Sequence, residues 1–148
     1  MDIDDTVIKL YSQKILELAS NIPLQGQLEE YDATAKARSP LCGSNITVQL
    51  RVSQGTIYEF AQDVKACALG QAAAALVGKN IIGANYSTVK KARDQLHEML
   101  KHGSSPPDKP FEDLDILRPA KDYKNRHASI MLALDATLDA FKLTKQTN

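Results

Sequence analysis

The chain has 148 residues, 43% of them hydrophobic and 24% charged, with 18 Lys+Arg against 18 Asp+Glu. That size and balance suit one soluble domain over residues 1–148 with a real core. The zero net charge argues against a general nucleic-acid binder, which needs a basic face for phosphate, and the most apolar stretch, Ala66 to Gly78, falls well short of the ~20 residues of a membrane span.

Ile8, Tyr11, Ile15, Leu18 and Ile22 follow helical spacing and form one apolar face of a first helix, stopped by Pro23 and Gly26. From Asp32 to Arg38 small residues alternate with polar ones, which predicts a strand with one face closely covered. Ile46, Val48, Leu50 and Val52 alternate with Thr47, Gln49 and Arg51, the best strand signal in the chain. Ser53-Gln54-Gly55 reads as a turn into a third strand from Thr56 to about Val64. Its alternation is imperfect: Tyr58 and Phe60 share a face on this reading, and a bulge accounts for the misfit.

Beyond Cys67 the pattern turns helical. A helix over Ala68 to Val77 ends at Gly78. Another, capped near Ser87, carries Val89, Ala92, Leu96, Met99 and Leu100 and stops at Gly103. Gly103 to Pro110 is a loop, Phe111 to Leu117 a short helix, and Tyr123 to Leu143 the final helix, followed by a polar, frayed tail. Strands followed by helices predict an α+β fold: a three-stranded antiparallel sheet with helices packed on one face.

The chemistry centres on the two cysteines. Cys42 lies in the turn Ser39-Pro40-Leu41-Cys42-Gly43-Ser44, and Cys67 at a strand-to-helix junction. Free cysteine is among the most buried residue types, which favours a structural role for both. Against this, Gly43 allows close backbone approach at the turn. Cys67 opens a helix with Lys65 two residues before it, and helix amides and a nearby cation favour thiolate. Two cysteines make no disulfide framework, and a reducing compartment keeps them as thiols. The acidic start, Met1-Asp2-Ile3-Asp4-Asp5, suits neither a secretory signal nor a transit peptide, so a cytoplasmic protein is expected.

His127 and Ser129 stand near the start of the last helix; a lone histidine there is usually exposed or capping, but imidazole beside two thiolates makes an ordinary zinc or iron site. His97-Glu98-Met99-Leu100-Lys101 misses the zinc-protease motif, because Lys101 replaces the second histidine. Ser104 and Ser105 have no His/Asp partner nearby in sequence, and no phosphate loop is present.

Pro40-Leu41-Cys42-Gly43 before an alternating strand, Ala66-Cys67-Ala68-Leu69-Gly70-Gln71-Ala72 opening a helix, and Arg126-His127-Ala128-Ser129-Ile130-Met131-Leu132 opening the last helix together resemble the NifU/IscU/SufU family of iron–sulfur cluster assembly scaffolds. The resemblance runs from the first helix to about Phe141. It implies a non-enzymatic protein of the same α+β fold, three cysteines and an aspartate at its site, a cysteine desulfurase as sulfur donor, and apo iron–sulfur proteins as acceptors. Cys42 and Cys67 fall on the first two cysteine positions, and Ser44 stands where the aspartate is expected. The third position falls at Ser129 in one alignment and at Ala128, beside His127, in the other; neither is cysteine.

The resemblance therefore implies a scaffold that binds iron or an iron–sulfur cluster through Cys42 and Cys67, with a reduced ligand set completed by His127, or more weakly by Ser44 and Ser129 hydroxyls. Two alternatives stand beside it. One is a zinc-bound sulfur-transfer protein of the SufU kind; the other is an interaction module of the assembly machinery that carries no metal.

Overall fold

The structure, a computed structural model, describes residues 12–147. Three strands, β1 (Ala33–Arg38), β2 (Asn45–Ser53) and β3 (Thr56–Lys65), form an antiparallel meander in the order β1-β2-β3. Four α-helices accompany it among the described residues: α1 (Gln13–Ser20), α2 (Ala68–Asn80), α3 (Tyr86–His102) and α4 (Lys124–Thr144), with a 3₁₀ segment, Glu112–Asp122, between α3 and α4. The α+β expectation matches this arrangement.

Strict alternation makes β2 the central strand. Ile46, Val48, Leu50 and Val52 are all buried on one face, and α4 packs across β1 and β2. That helix is enclosed by the sheet on one side and by α2 and α3 on others. Eleven of its residues from Ser129 to Phe141 are therefore buried, and the helix has little amphipathic character. Ile15 and Leu18 of α1 join the same core; Ile8 and Tyr11, expected on that helix, lie outside the described residues.

Four local expectations change. In β3 the bulge falls at Tyr58: Arg51 pairs with Glu59 but Val52 with Ile57, so Tyr58 is the extra residue. The parity shift puts Ile57 and Phe60 in the core and leaves Tyr58 43% exposed, so Tyr58 and Phe60 do not share a face. Gly78 does not end α2. It lies inside the helix where a Cβ would come within 2.8 Å of Gln62 Nε2 and 3.1 Å of the Pro23 carbonyl, so the glycine admits a close crossing. The cap of α3 is Asn85, whose side chain accepts from the Thr88 N–H at 2.9 Å, rather than Ser87. The C-terminal tail is tied back: Gln146 Oε1 accepts from the Gly55 N–H at 3.0 Å, closing over the β2–β3 turn.

The short helix expected at Phe111 is the longer 3₁₀ segment. Pro119 cannot donate an α-helical hydrogen bond, and Leu114, Leu117 and Ala120, three apart, bury the stripe that a three-residue period aligns.

Candidate functional site

The β1–β2 connection, residues 39 to 44, closes on itself. The Ser39 N–H donates to the Ser44 carbonyl at 2.8 Å, and the Gly43 N–H to the Ser39 carbonyl at 3.0 Å. Gly43 turns the chain with φ +71°, a conformation that favours glycine. Leu41 at the tip is 75% exposed, and Cys42 beside it is half-buried. The loop thus presents Cys42 at the end of the sheet while its two flanking serines point inward and are buried.

Cys67 is the N-cap residue of α2, with extended backbone and no capping hydrogen bond from its side chain. Its sulfur is left free to face the site, next to the unsatisfied first-turn amides of a thirteen-residue helix. Lys65, the cation two residues before Cys67, is exposed and makes no ion pair among the described residues.

Two hydroxyls join the two sulfurs, and a third flanks Cys42. Ser44 Oγ lies 3.2 Å from Cys42 Sγ and accepts from the Cys67 N–H at 3.3 Å. Ser129, from the second turn of α4, donates to Ser44 Oγ at 3.1 Å and lies 3.4 Å from Cys67 Sγ. Ser39 Oγ lies 3.4 Å from Cys42 Sγ. With both lone pairs of Ser44 occupied by the Cys67 N–H and the Ser129 O–H, its own hydrogen is directed to Cys42 Sγ. Burial pushes the Cys42 thiol up, but hydrogen bonds from Ser39, from the Ser44 side chain and backbone, and from Ser129 outweigh it and bring its pKa down to about 6. Cys42 is therefore a thiolate at neutral pH, the form that attacks sulfur and binds soft metals.

Space at the site is tight. A Cβ on Gly70, one turn into α2, would sit 2.5 Å from Ser129 Oγ and 2.8 Å from Ala66 Cβ. Gly70 thereby lets α2 and α4 approach closely enough for Ser129 to reach Cys67.

The structure thus brings together Cys42, Cys67, Ser44 and Ser129. It does not bring His127 among them. The His127 Nε2 lies 2.9 Å from the Ala120 carbonyl and 3.0 Å from that of Lys121, at the end of the 3₁₀ segment, and its ring lines a separate cavity together with the exposed Ala128. Among the described residues, no three His, Cys, Asp or Glu side chains gather as a metal site. Ser39 is the site residue that sequence reasoning passed over. Its signal was positional: a serine at each end of a six-residue connection between alternating strands, with the cysteine between them.

Residues 10–129 match the family model described as the NifU-like N terminal domain. The chain belongs to this family. Among solved structures, this NifU-like domain is similar to the N-terminal part of a nitrogen-fixing NifU-like protein from Brucella abortus, at 40% identity and a TM-score of 0.92, over 97% of this chain and 99% of that one. It also shares its fold with an iron–sulfur cluster assembly scaffold assigned to the SUF system of Fervidobacterium islandicum, at 17% identity and TM-score 0.81, over 90% and 98% of the two chains. Among curated relatives, the iron–sulfur cluster assembly scaffold protein IscU of Thermotoga maritima is 23% identical over 133 residues, 90% of this chain and 93% of the relative. The resemblance drawn from the cysteine contexts thus holds at family level. Among the described residues, no helix of this NifU-like domain is long and apolar enough to cross a membrane.

Proposed function

We propose that the chain is a scaffold-type protein of iron–sulfur cluster assembly that receives its cargo on Cys42 and Cys67 with a reduced donor set. One observation carries this reading: two free thiols meet on a buried serine pair, and one of them is held as thiolate, in a fold whose relatives are named as scaffolds. In the sulfur step, the Cys42 thiolate attacks the terminal sulfur of a persulfide carried by a cysteine desulfurase. A new S–S bond forms at Cys42, the donor's S–S bond breaks, and the donor leaves as thiolate. Iron is met by the same two cysteines.

Two thiolates supply half of the four protein ligands that a bridged cluster takes. Neutral serine hydroxyls are weak donors, so Ser44 and Ser129 tune and position the sulfurs more than they bind. An apo acceptor protein completes the coordination, and the cargo leaves with it, so the chain acts as a carrier and not a catalyst. Free thiols persist in a reducing compartment such as the cytoplasm. Zinc is the less supported cargo, because even an open zinc site takes three protein donors. His127 holds Nε2 against the carbonyls of Ala120 and Lys121, which leaves Nδ1 as the nitrogen through which it would act as a third donor.

The test is anaerobic. The protein is incubated with a cysteine desulfurase and cysteine, and the gain of one sulfur at Cys42 is read by peptide mass. It is then reconstituted with ferrous iron and sulfide and followed by visible absorption. Cys42→Ser abolishes the sulfur gain, either cysteine variant abolishes the absorption, and the parent's absorption is weak and oxygen-sensitive. Tightly held colourless zinc would favour the sulfur-transfer alternative. Neither sulfur gain nor absorption, on an intact fold, would favour the interaction module.

A further inference from the structure

A cavity of about 1110 Å³ runs between α3 and α4 and reaches Ala37 and Arg38 at the end of β1. The two helices are antiparallel: Tyr86 at the start of α3 stacks edge-on against Phe141 near the end of α4, and Arg93 bonds Asp135 midway. Lining residues extend from Tyr86 to His102 on α3 and from Lys124 to Lys142 on α4. At ~1.5 Å rise per residue the groove is therefore about 24 Å long or more. That length is several helical turns, too long for a single small molecule.

Its charge is one-sided. Among the described residues, seven Lys and Arg side chains line it, against two acids, Asp135 and Asp139. Asp135 is already held by Arg93 at 3.0 Å. Arg38, Lys101, Lys124 and Lys142 are exposed and make no ion pair among the described residues. Three imidazoles, His97, His102 and His127, share the lining. Leu100, Met131, Leu132 and Leu138 close the base of the groove but are at most 6% exposed, so the accessible apolar surface comes from half-buried Tyr86, exposed Ala128 and the aliphatic stems of the lysines. Among the described residues, unpaired cations are thus concentrated along one groove.

We infer that this groove docks an acidic, amphipathic helical segment of a partner protein, its apolar stripe on Tyr86, Ala128 and the lysine stems above the buried base and its carboxylates against Arg38, Lys101, Lys124 and Lys142. The helix-in-groove mode needs these two parts side by side, an apolar trough and rim charges that fix orientation. Two lining residues adjoin thiol-site residues in the chain: Arg38 precedes Ser39 and Ala128 precedes Ser129. The inference does not depend on what the thiols carry.

The probe is a fluorescein-labelled fourteen-residue peptide with Leu at helical spacing and Glu on both flanks, compared with its scrambled form and with a Gln-for-Glu form. Fluorescence anisotropy reads affinity, and amide shifts in the NMR spectrum read location. The expected result is binding of the Glu peptide at least tenfold tighter than either control, weakening roughly tenfold between low and ~0.3 M salt as the rim charges are screened. Lys101→Glu with Lys142→Glu should weaken it more than tenfold, while thermal melting and Cys42 labelling stay unchanged. Equal binding of the scrambled peptide, or shifts mapping away from α3 and α4, would overturn the proposal. So would displacement by millimolar citrate, which would make this a small-anion site, or preference for anionic vesicles or RNA over the peptide. A full-length chain with Asp2, Asp4 and Asp5 changed to Asn that binds the peptide tenfold tighter would also overturn it, by giving the groove to the chain's own acidic start.

Discussion

Ser44 is the hub of the thiol site, and its removal has a calculable effect. In the Ser44→Ala variant, Cys42 loses the hydroxyl 3.2 Å from its sulfur, while Ser129 and the Cys67 N–H lose their shared acceptor. A hydrogen bond to a charged group is worth about 1.5–3 kcal/mol, and one pKa unit corresponds to about 1.4 kcal/mol. Cys42 is half-buried and keeps its bonds to Ser39 and to the Ser44 backbone, so the low end applies. The Cys42 pKa should rise from about 6 by about one unit. The sign is that of an acid losing donors to its anion: at pH 6 the thiolate fraction falls from about half to about a tenth, and alkylation slows about fivefold. The assay is iodoacetamide labelling of anaerobic protein between pH 5 and 9 in a Cys67→Ala background, so that one thiol reacts, with Ser104→Ala in an exposed loop as control. A parent midpoint in the ordinary thiol range near ~8.5, or a midpoint that Ser44→Ala leaves in place, would refute the serine-hub account.

Three further outcomes follow from the geometry. Gly70→Ala should destabilise by about 1–3 kcal/mol through overpacking, lowering the melting temperature by roughly 3–9 °C in calorimetry; combined with Ser129→Ala, the loss should be smaller than the sum of the two, because one clash partner at 2.5 Å is gone. Full additivity would mean that the helices simply move apart. Ser129→Cys should strengthen iron–sulfur absorption on reconstitution more than Ala128→Cys, because position 129 already lies beside Cys67 and Ser44 while position 128 is exposed on the cavity side. The reverse order would place the third site position at 128 and return His127 to the ligand set, with His127→Ala then costing iron binding. Finally, Asn85→Ala should cost about 1 kcal/mol in urea unfolding while Ser87→Ala costs only a few tenths, since the cap bond to Thr88 belongs to Asn85.

Most of the architecture follows from local pattern alone. Alternation along Ile46 to Val52 specifies a half-buried strand whatever surrounds it, because a period of two can expose only one face. The stop of α3 at Gly103 needs only a residue free to adopt φ +70°. The two cysteine contexts, read as a resemblance, sufficed for the family. What the sequence could not show is where two elements cross. Gly78 reads as a helix end in isolation and is a contact with Gln62 and Pro23 in the folded chain. Tyr58 carries no mark of the bulge that turns it outward, because pairing register is settled by the neighbouring strand. The site follows the same division. Cys42 and Cys67 could be nominated from their turns, but only packing sets Ser129 of the last helix against Ser44 of the hairpin, 85 residues earlier. The same packing turns His127, two residues before Ser129, toward backbone carbonyls at the end of the 3₁₀ segment. On a helix, neighbours two apart face different directions, so which of them meets the thiols is decided by the rotation of α4 against the sheet and α2, a property of the assembled core.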